Sequence, residues 1–130
     1  MTHTVTTLTP IMLEELVEFD HDVLADLCAR HGHRTEIVIA TSLSQIEQLL
    51  SLARLQLAGS HDTGLIRTCS DLIALAQTIG MRTLERAAVG VLDCIDAGDA
   101  TALPACAQRM LRLGEPETIA QWTVRHDTVA

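Results

Sequence analysis

The stretch TEIVIATSLSQIEQLLSLARLQLA, residues 35–58, decides the fold. Within it Ile39, Leu43, Ile46, Leu50, Ala53 and Leu57 recur at steps of four, three, four, three and four. That spacing lays a single apolar stripe along one helix of about six to seven turns. Leu49 and Leu52 widen the stripe, so the helix is expected to touch more than one neighbour.

Working outward, Gly59 ends this helix and Gly59-Ser-His-Asp62 makes a short connection. Asp62 or Thr63 can cap the next helix, which should run to about Ile79 with Leu65, Cys69, Leu72, Ala76 and Ile79 inward. Gly80 supplies the left-handed residue that commonly closes a helix. A helix over about 82–97 offers Leu84, Ala88, Val91, Leu92 and Ile95, ending at Gly98. Asp99 then caps another to about Leu113, with Leu103, Cys106, Met110 and Leu113 inward. Pro104 falls early enough there to be tolerated. Upstream, Asp20 can cap a short helix to about residue 30, burying Val23, Leu24, Leu27 and Cys28 and stopped by Gly32. Thr9-Pro10 reads as an N-cap with proline in the first turn; the helix it opens, about 10–18, carries Ile11, Leu13 and Leu16. Residues 1–8 are threonine-rich and expected to be a loose end. Gly114-Glu-Pro116 opens a final short helix with Ile119 and Trp122, and 125–130 is a tail.

The core must be aliphatic: apolar residues make up 48% of the chain, yet its aromatics are only Phe19 and Trp122. Such a core suits helix-on-helix packing better than a β-sandwich. At 130 residues the chain fits one domain. Short connections imply antiparallel neighbours. The expectation is an all-α, up-down-up-down antiparallel four-helix bundle over 9–124, with short N-terminal helices capping one end.

A net charge of −8 argues against nucleic acid as a partner, which needs clustered cations. Glu14, Glu15, Glu18, Asp20, Asp22 and Asp26 crowd the first third and read as a solvated face. All nine basic residues are arginine, so no lysine chemistry is open to the chain. The cysteines Cys28, Cys69, Cys94 and Cys106 lie in apolar helical patterns, as small hydrophobes do in a reducing compartment. Met1-Thr-His-Thr-Val-Thr-Thr7 lacks the basic start and apolar run of a signal peptide. No apolar stretch approaches the ~20 residues that cross a bilayer. A cytoplasmic protein with no membrane partner is expected.

Motifs that carry chemistry are scarce. Cys28, His31 and His33 form a Cys-x2-His-x-His cluster at a helix end, which offers at most three zinc ligands and reads better as polar helix-end residues. No metal is expected, and no Gly-rich phosphate loop, Ser/His/Asp set or cofactor motif is present. His61 precedes a helix and His21 sits in the acidic stretch; both read as surface histidines.

The line Ser70-Asp-Leu-Ile-Ala-Leu-Ala-Gln-Thr-Ile-Gly-Met81 is the most informative of all. In order of elements and in this motif, residues 19–113 resemble the histidine-containing phosphotransfer domains of bacterial phosphorelays. That family carries a pattern like His-x-Leu-Lys-Gly-(small)-(small)-x-x-Leu-Gly, with a later Gly-Asp turn. Leu72, Ala76, Ile79, Gly80, Leu84 and the Ala97-Gly98-Asp99 turn fall in step with it. Ser70 stands where the resemblance implies the phosphoacceptor histidine, Ile73 where it implies lysine, and Ala74 where it implies glycine. A serine hydroxyl has a pKa far above neutral and no local base to activate it. Phosphoserine is also too stable for a reversible relay. The resemblance therefore implies a scaffold that has lost its phosphotransfer chemistry and has no catalytic residue.

On a helical wheel the stripe centres on Leu65, Leu72 and Ala76, with Ile66, Ser70, Ile73 and Gln77 a quarter-turn or more away and Ala74 further round. The resemblance implies that this flank docks a response-regulator receiver domain or a histidine kinase. Burial of Ile66 and Ile73 under a neighbouring helix is the competing reading. Two other functions stay open: an active phosphotransfer protein using another histidine, and a structural helical homodimer.

Overall fold

The computed structural model describes residues 18–60 and 62–115. The helix expected from Pro10 reaches these only at Glu18, which is not helical; the rest of that helix, the one with Ile119 and Trp122, and both terminal segments lie outside the described residues. Within them the chain is all-α: α1 His21–His31, α2 Thr35–Ala58, α3 Asp62–Ile79, α4 Arg82–Asp96 and α5 Leu103–Arg112, with one 3-10 turn, Gly32–Arg34, between α1 and α2.

Local chemistry sets these boundaries. Asp20 caps α1, its carboxylate accepting from the backbone N–H groups of Asp22 and Val23 at 3.0 and 3.3 Å. The helix expected after its Asp99 cap begins three residues later than the sequence implies. Asp99 does cap, but what it caps is a turn: its carboxylate accepts from Ala102 N–H at 3.0 Å, and its carbonyl from Leu103 N–H at 3.1 Å. Regular helix starts at Leu103, placing Pro104 in the first turn, where its missing N–H leaves no bond unmade.

Successive helices pack on one another, α2 on α3, α3 on α4 and α4 on α5, while α5 also touches α2 and α1 lies against α2 and α3. The expected α3 stripe of Leu65, Cys69, Leu72, Ala76 and Ile79 is buried in full. In α2, Ile39, Leu43, Ile46, Leu50 and Ala53 are buried and Leu49 half-buried, but Leu52 is 42% exposed. The widened stripe therefore stops short of Leu52, because α3 presents only Asp71, Ala74 and Leu75 opposite and leaves a groove there. In α4 the weight shifts toward its start: Thr83, Leu84, Ala87, Ala88 and Val91 are buried, with Leu92 and Ile95 half-buried. In α5, Ala107, Met110 and Leu111 are buried, as is Leu113 beyond its end, whereas Leu103 and Cys106 are half-buried.

A short extended segment straps the end of α3. Phe19 and Met81 form an isolated antiparallel bridge. Asp20 N–H donates to Gly80 C=O at 2.7 Å, and Arg82 N–H to Glu18 C=O at 3.1 Å. Glu18 N–H also donates to the Thr83 hydroxyl at 2.6 Å. The Arg86 guanidinium pairs with the Glu18 carboxylate. Its hydrogen bond and charge hold the Glu18 carboxyl below the usual glutamate range, with Arg82 adding to the effect and desolvation opposing it. A depressed folded-state pKa contributes stability that is present above the unfolded value and is lost as pH falls through the folded one. Glu18→Gln should therefore be slightly less stable than wild type near neutral pH. In urea titrations the two proteins should converge as the solution is acidified below the ordinary glutamate range. Both partners are solvent-exposed, so the difference stays small.

Candidate functional site

Ser70 lies in the middle of α3 with its side chain exposed. The hydroxyl donates to the Ile66 carbonyl at 2.9 Å, the bond one turn back that serine and threonine make inside helices. Thr78 does the same to Ala74 at 2.9 Å. The Ser70 proton is thus committed to the backbone and not to a base, which leaves the oxygen a poor nucleophile. The nearest charges along the helix are Arg67 and Asp71, an exposed i,i+4 pair at 3.7 Å that flanks Ser70 and contributes little energy.

The five residues of the expected docking flank do not form one uniform patch. Ile66 is 42% exposed, an apolar side chain beside Ser70 that no helix covers fully. Ile73 is half-buried and packs against the core. That is part-way to the competing reading, with one side of the Ile73 side chain seated on the bundle. Gln77 is exposed but tied down, its amide donating to the Glu85 carboxylate of α4 at 3.0 Å. Ala74 is exposed on the other side, in the wall of an open groove of about 540 Å³ between α2 and α3. Gln45, Gln48, Leu49 and Leu52 form the α2 wall, and Asp71, Ala74 and Leu75 the α3 wall. Ile66, Ser70, Ile73 and Gln77 therefore share one side of α3, and Ala74 opens toward α2.

The groove had a partial signal in the sequence. Leu52 extends the α2 stripe while Ala74 removes the side chain that would have covered it, but pairing the two needs the register between helices. Val89 of α4, 39% exposed, is a further apolar surface residue that the motif did not indicate.

The remaining candidates are scattered. Among the described residues no group of three or more His, Cys, Asp or Glu side chains is placed to hold a metal ion, so Cys28, His31 and His33 are not brought together as ligands. His21 packs edge-on against Phe19, ring centroids 4.7 Å apart, at the strap. His61 lies outside the described residues. No described helix is long and apolar enough to cross a membrane. Comparison with protein-family models, with curated proteins and with solved structures finds no match to this chain.

Proposed function

We propose that this chain is a phosphotransfer-type signalling module that has lost the phosphoacceptor imidazole. It docks a response-regulator receiver domain or a histidine kinase of a bacterial two-component phosphorelay, or competes for one, in the cytoplasm and without relaying phosphate. In this reading α2–α5 run up-down-up-down as an antiparallel bundle with α1 across one end. Support comes from the short links at 59–61 and 80–81, the packing of successive helices and the contact between α5 and α2.

The observation that carries the reading is Ser70 itself. Its side chain points outward mid-helix, next to the exposed Ile66, and its hydroxyl is occupied by a backbone carbonyl. An outward position suits a macromolecular partner, while a bonded hydroxyl with no base suits the loss of phosphate chemistry.

Ile66 is the residue to test, because the half-buried Ile73 would confound binding with stability. Ile66→Asp should weaken binding to the cognate receiver or kinase by about tenfold or more with unchanged far-UV helicity. Ile37→Asp, at a 61% exposed position of α2, should bind as wild type does. Equal affinity of Ile66→Asp and wild type for every partner that binds would remove α3 as the docking face. A structural homodimer has one observation in its favour, the exposed Ile66 and Val89 on neighbouring helices. Sedimentation separates it: a concentration-independent dimer that Ile66→Asp dissociates would replace docking as the role of this face.

A further inference from the structure

α4 and α5 each bring one cysteine to their shared interface. The Cys94 thiol donates to the Cys106 sulfur across 3.3 Å, and both side chains are half-buried. The turn between them is braced at both ends: Asp99 N–H donates to Cys94 C=O at 2.9 Å, and Cys106 N–H to Ala102 C=O at 3.1 Å. Neither thiol belongs to the docking face. The other two cysteines are placed differently. Cys69 is fully buried against the Met110 thioether at 3.9 Å, and burial pushes its thiol up to about 11. Cys28 sits on α1, far in sequence from the pair.

We propose that Cys94 and Cys106 form a reversible disulfide site that exchanges with low-molecular-weight disulfides and thereby locks α4 to α5. The sulfur separation of 3.3 Å exceeds a disulfide bond by about 1.3 Å, the gap that oxidation must close. The contact is asymmetric. Cys94 is the donor, and its pKa is pushed up to about 11, chiefly by that hydrogen bond, then by desolvation and, more weakly, by the Asp99 and Asp93 carboxylates. With its S–H directed at Cys106, Cys94 is placed as the resolving thiol, and Cys106 attacks first.

The Cys106 thiolate attacks one sulfur of the small disulfide RSSR, forming Cys106–S–S–R and expelling RS⁻. Cys94 then gives its proton to solvent and attacks the Cys106 sulfur, breaking the mixed disulfide and releasing the second RS⁻. Both leaving thiolates take up a proton. The net change is two protein thiols oxidised to one disulfide and one RSSR reduced to two RSH. Cross-linking residues 94 and 106 closes a short loop across the α4–α5 turn and restricts the unfolded chain.

The test uses the full chain in buffers of reduced and oxidised glutathione at stepwise ratios. Intact mass should show the loss of two hydrogens with no retained glutathione. Cleavage before Asp96 and Asp99 should leave the Cys94 and Cys106 peptides joined. The melting temperature should rise by about 5–10 °C and fall back on reduction. Cys94→Ser should trap glutathione on Cys106, and Cys28→Ser should oxidise as wild type does. A glutathione adduct that persists on wild type, a cross-link involving Cys28 or Cys69, or oxidation no easier than that of an isolated peptide spanning 87–109 would overturn the proposal. The wild-type mass readout decides the matter even if a serine variant fails to fold.

Discussion

Leu72→Ala is expected to destabilise the protein by about 2–5 kcal/mol, the range for deleting a buried leucine side chain beyond Cβ. Leu72 is 0% exposed at the centre of the α3 stripe, and α3 is the helix against which α1, α2 and α4 all pack. The buried core of the described residues contains leucine, isoleucine, valine, alanine, methionine and one cysteine, with no ring to slide into a void. Ala76 and Ala88 of the same buried cluster are already as small as side chains with a Cβ can be and cannot refill the space. Urea denaturation should show a lower midpoint with an unchanged slope, the mark of lost stability without a change in surface exposed on unfolding. Ile66→Ala, on the same helix but 42% exposed, should cost well under half as much. Equal losses at the two sites would mean that α3 does not present Leu72 inward and Ile66 outward.

Gly80→Ala is the second large effect, at about 2–4 kcal/mol. Two costs add. Gly80 has φ +72, where an L side chain is strained by about 1–2 kcal/mol. A Cβ there would also lie 3.0 Å from the Asp20 carbonyl oxygen and 3.2 Å from Val23 Cβ. The carbonyl cannot easily retreat, because Asp20 N–H is held to Gly80 C=O at 2.7 Å by the strap. Gly98 provides the control. Its φ is +66, but a Cβ there would meet nothing within 4 Å, so Gly98→Ala should show the strain alone, about 1 kcal/mol. The difference between the two midpoints in urea measures the close approach of the strap. If the two glycines cost the same, the strap is not packed against the end of α3.

Periodicity made most of the helical framework legible, because burying one side of a helix leaves a repeat in the sequence itself. The α3 stripe from Leu65 to Ile79 and the caps at Asp20 and Gly80 are of this kind. What depends on non-local geometry was not legible. Phe19 and Met81 are joined through backbone atoms, which any residue pair could supply. Leu52 has the spacing of a core residue but is exposed in a groove whose facing wall is Asp71, Ala74 and Leu75. The late start of α5 reflects a turn that uses Asp99 in competition with the helix cap. At the candidate site, the outward position of Ser70 followed from the wheel. The seating of Ile73 on the core and the Gln77–Glu85 bond needed the neighbouring helix in place. The Cys94–Cys106 contact likewise depends on how the turn sets one helix beside the next.

The proposed role, docking without phosphate transfer, is tested most directly by one measurement on the unmodified chain. It is incubated with each phosphorylated receiver domain and each histidine kinase of its source organism, and affinity and acid-labile phosphate are followed together. Saturable binding to at least one of them, weakened by Ile66→Asp and with no phosphate transferred to the chain, is the predicted result. Acid-labile phosphate on any histidine of the chain, or binding to none of them, would contradict it.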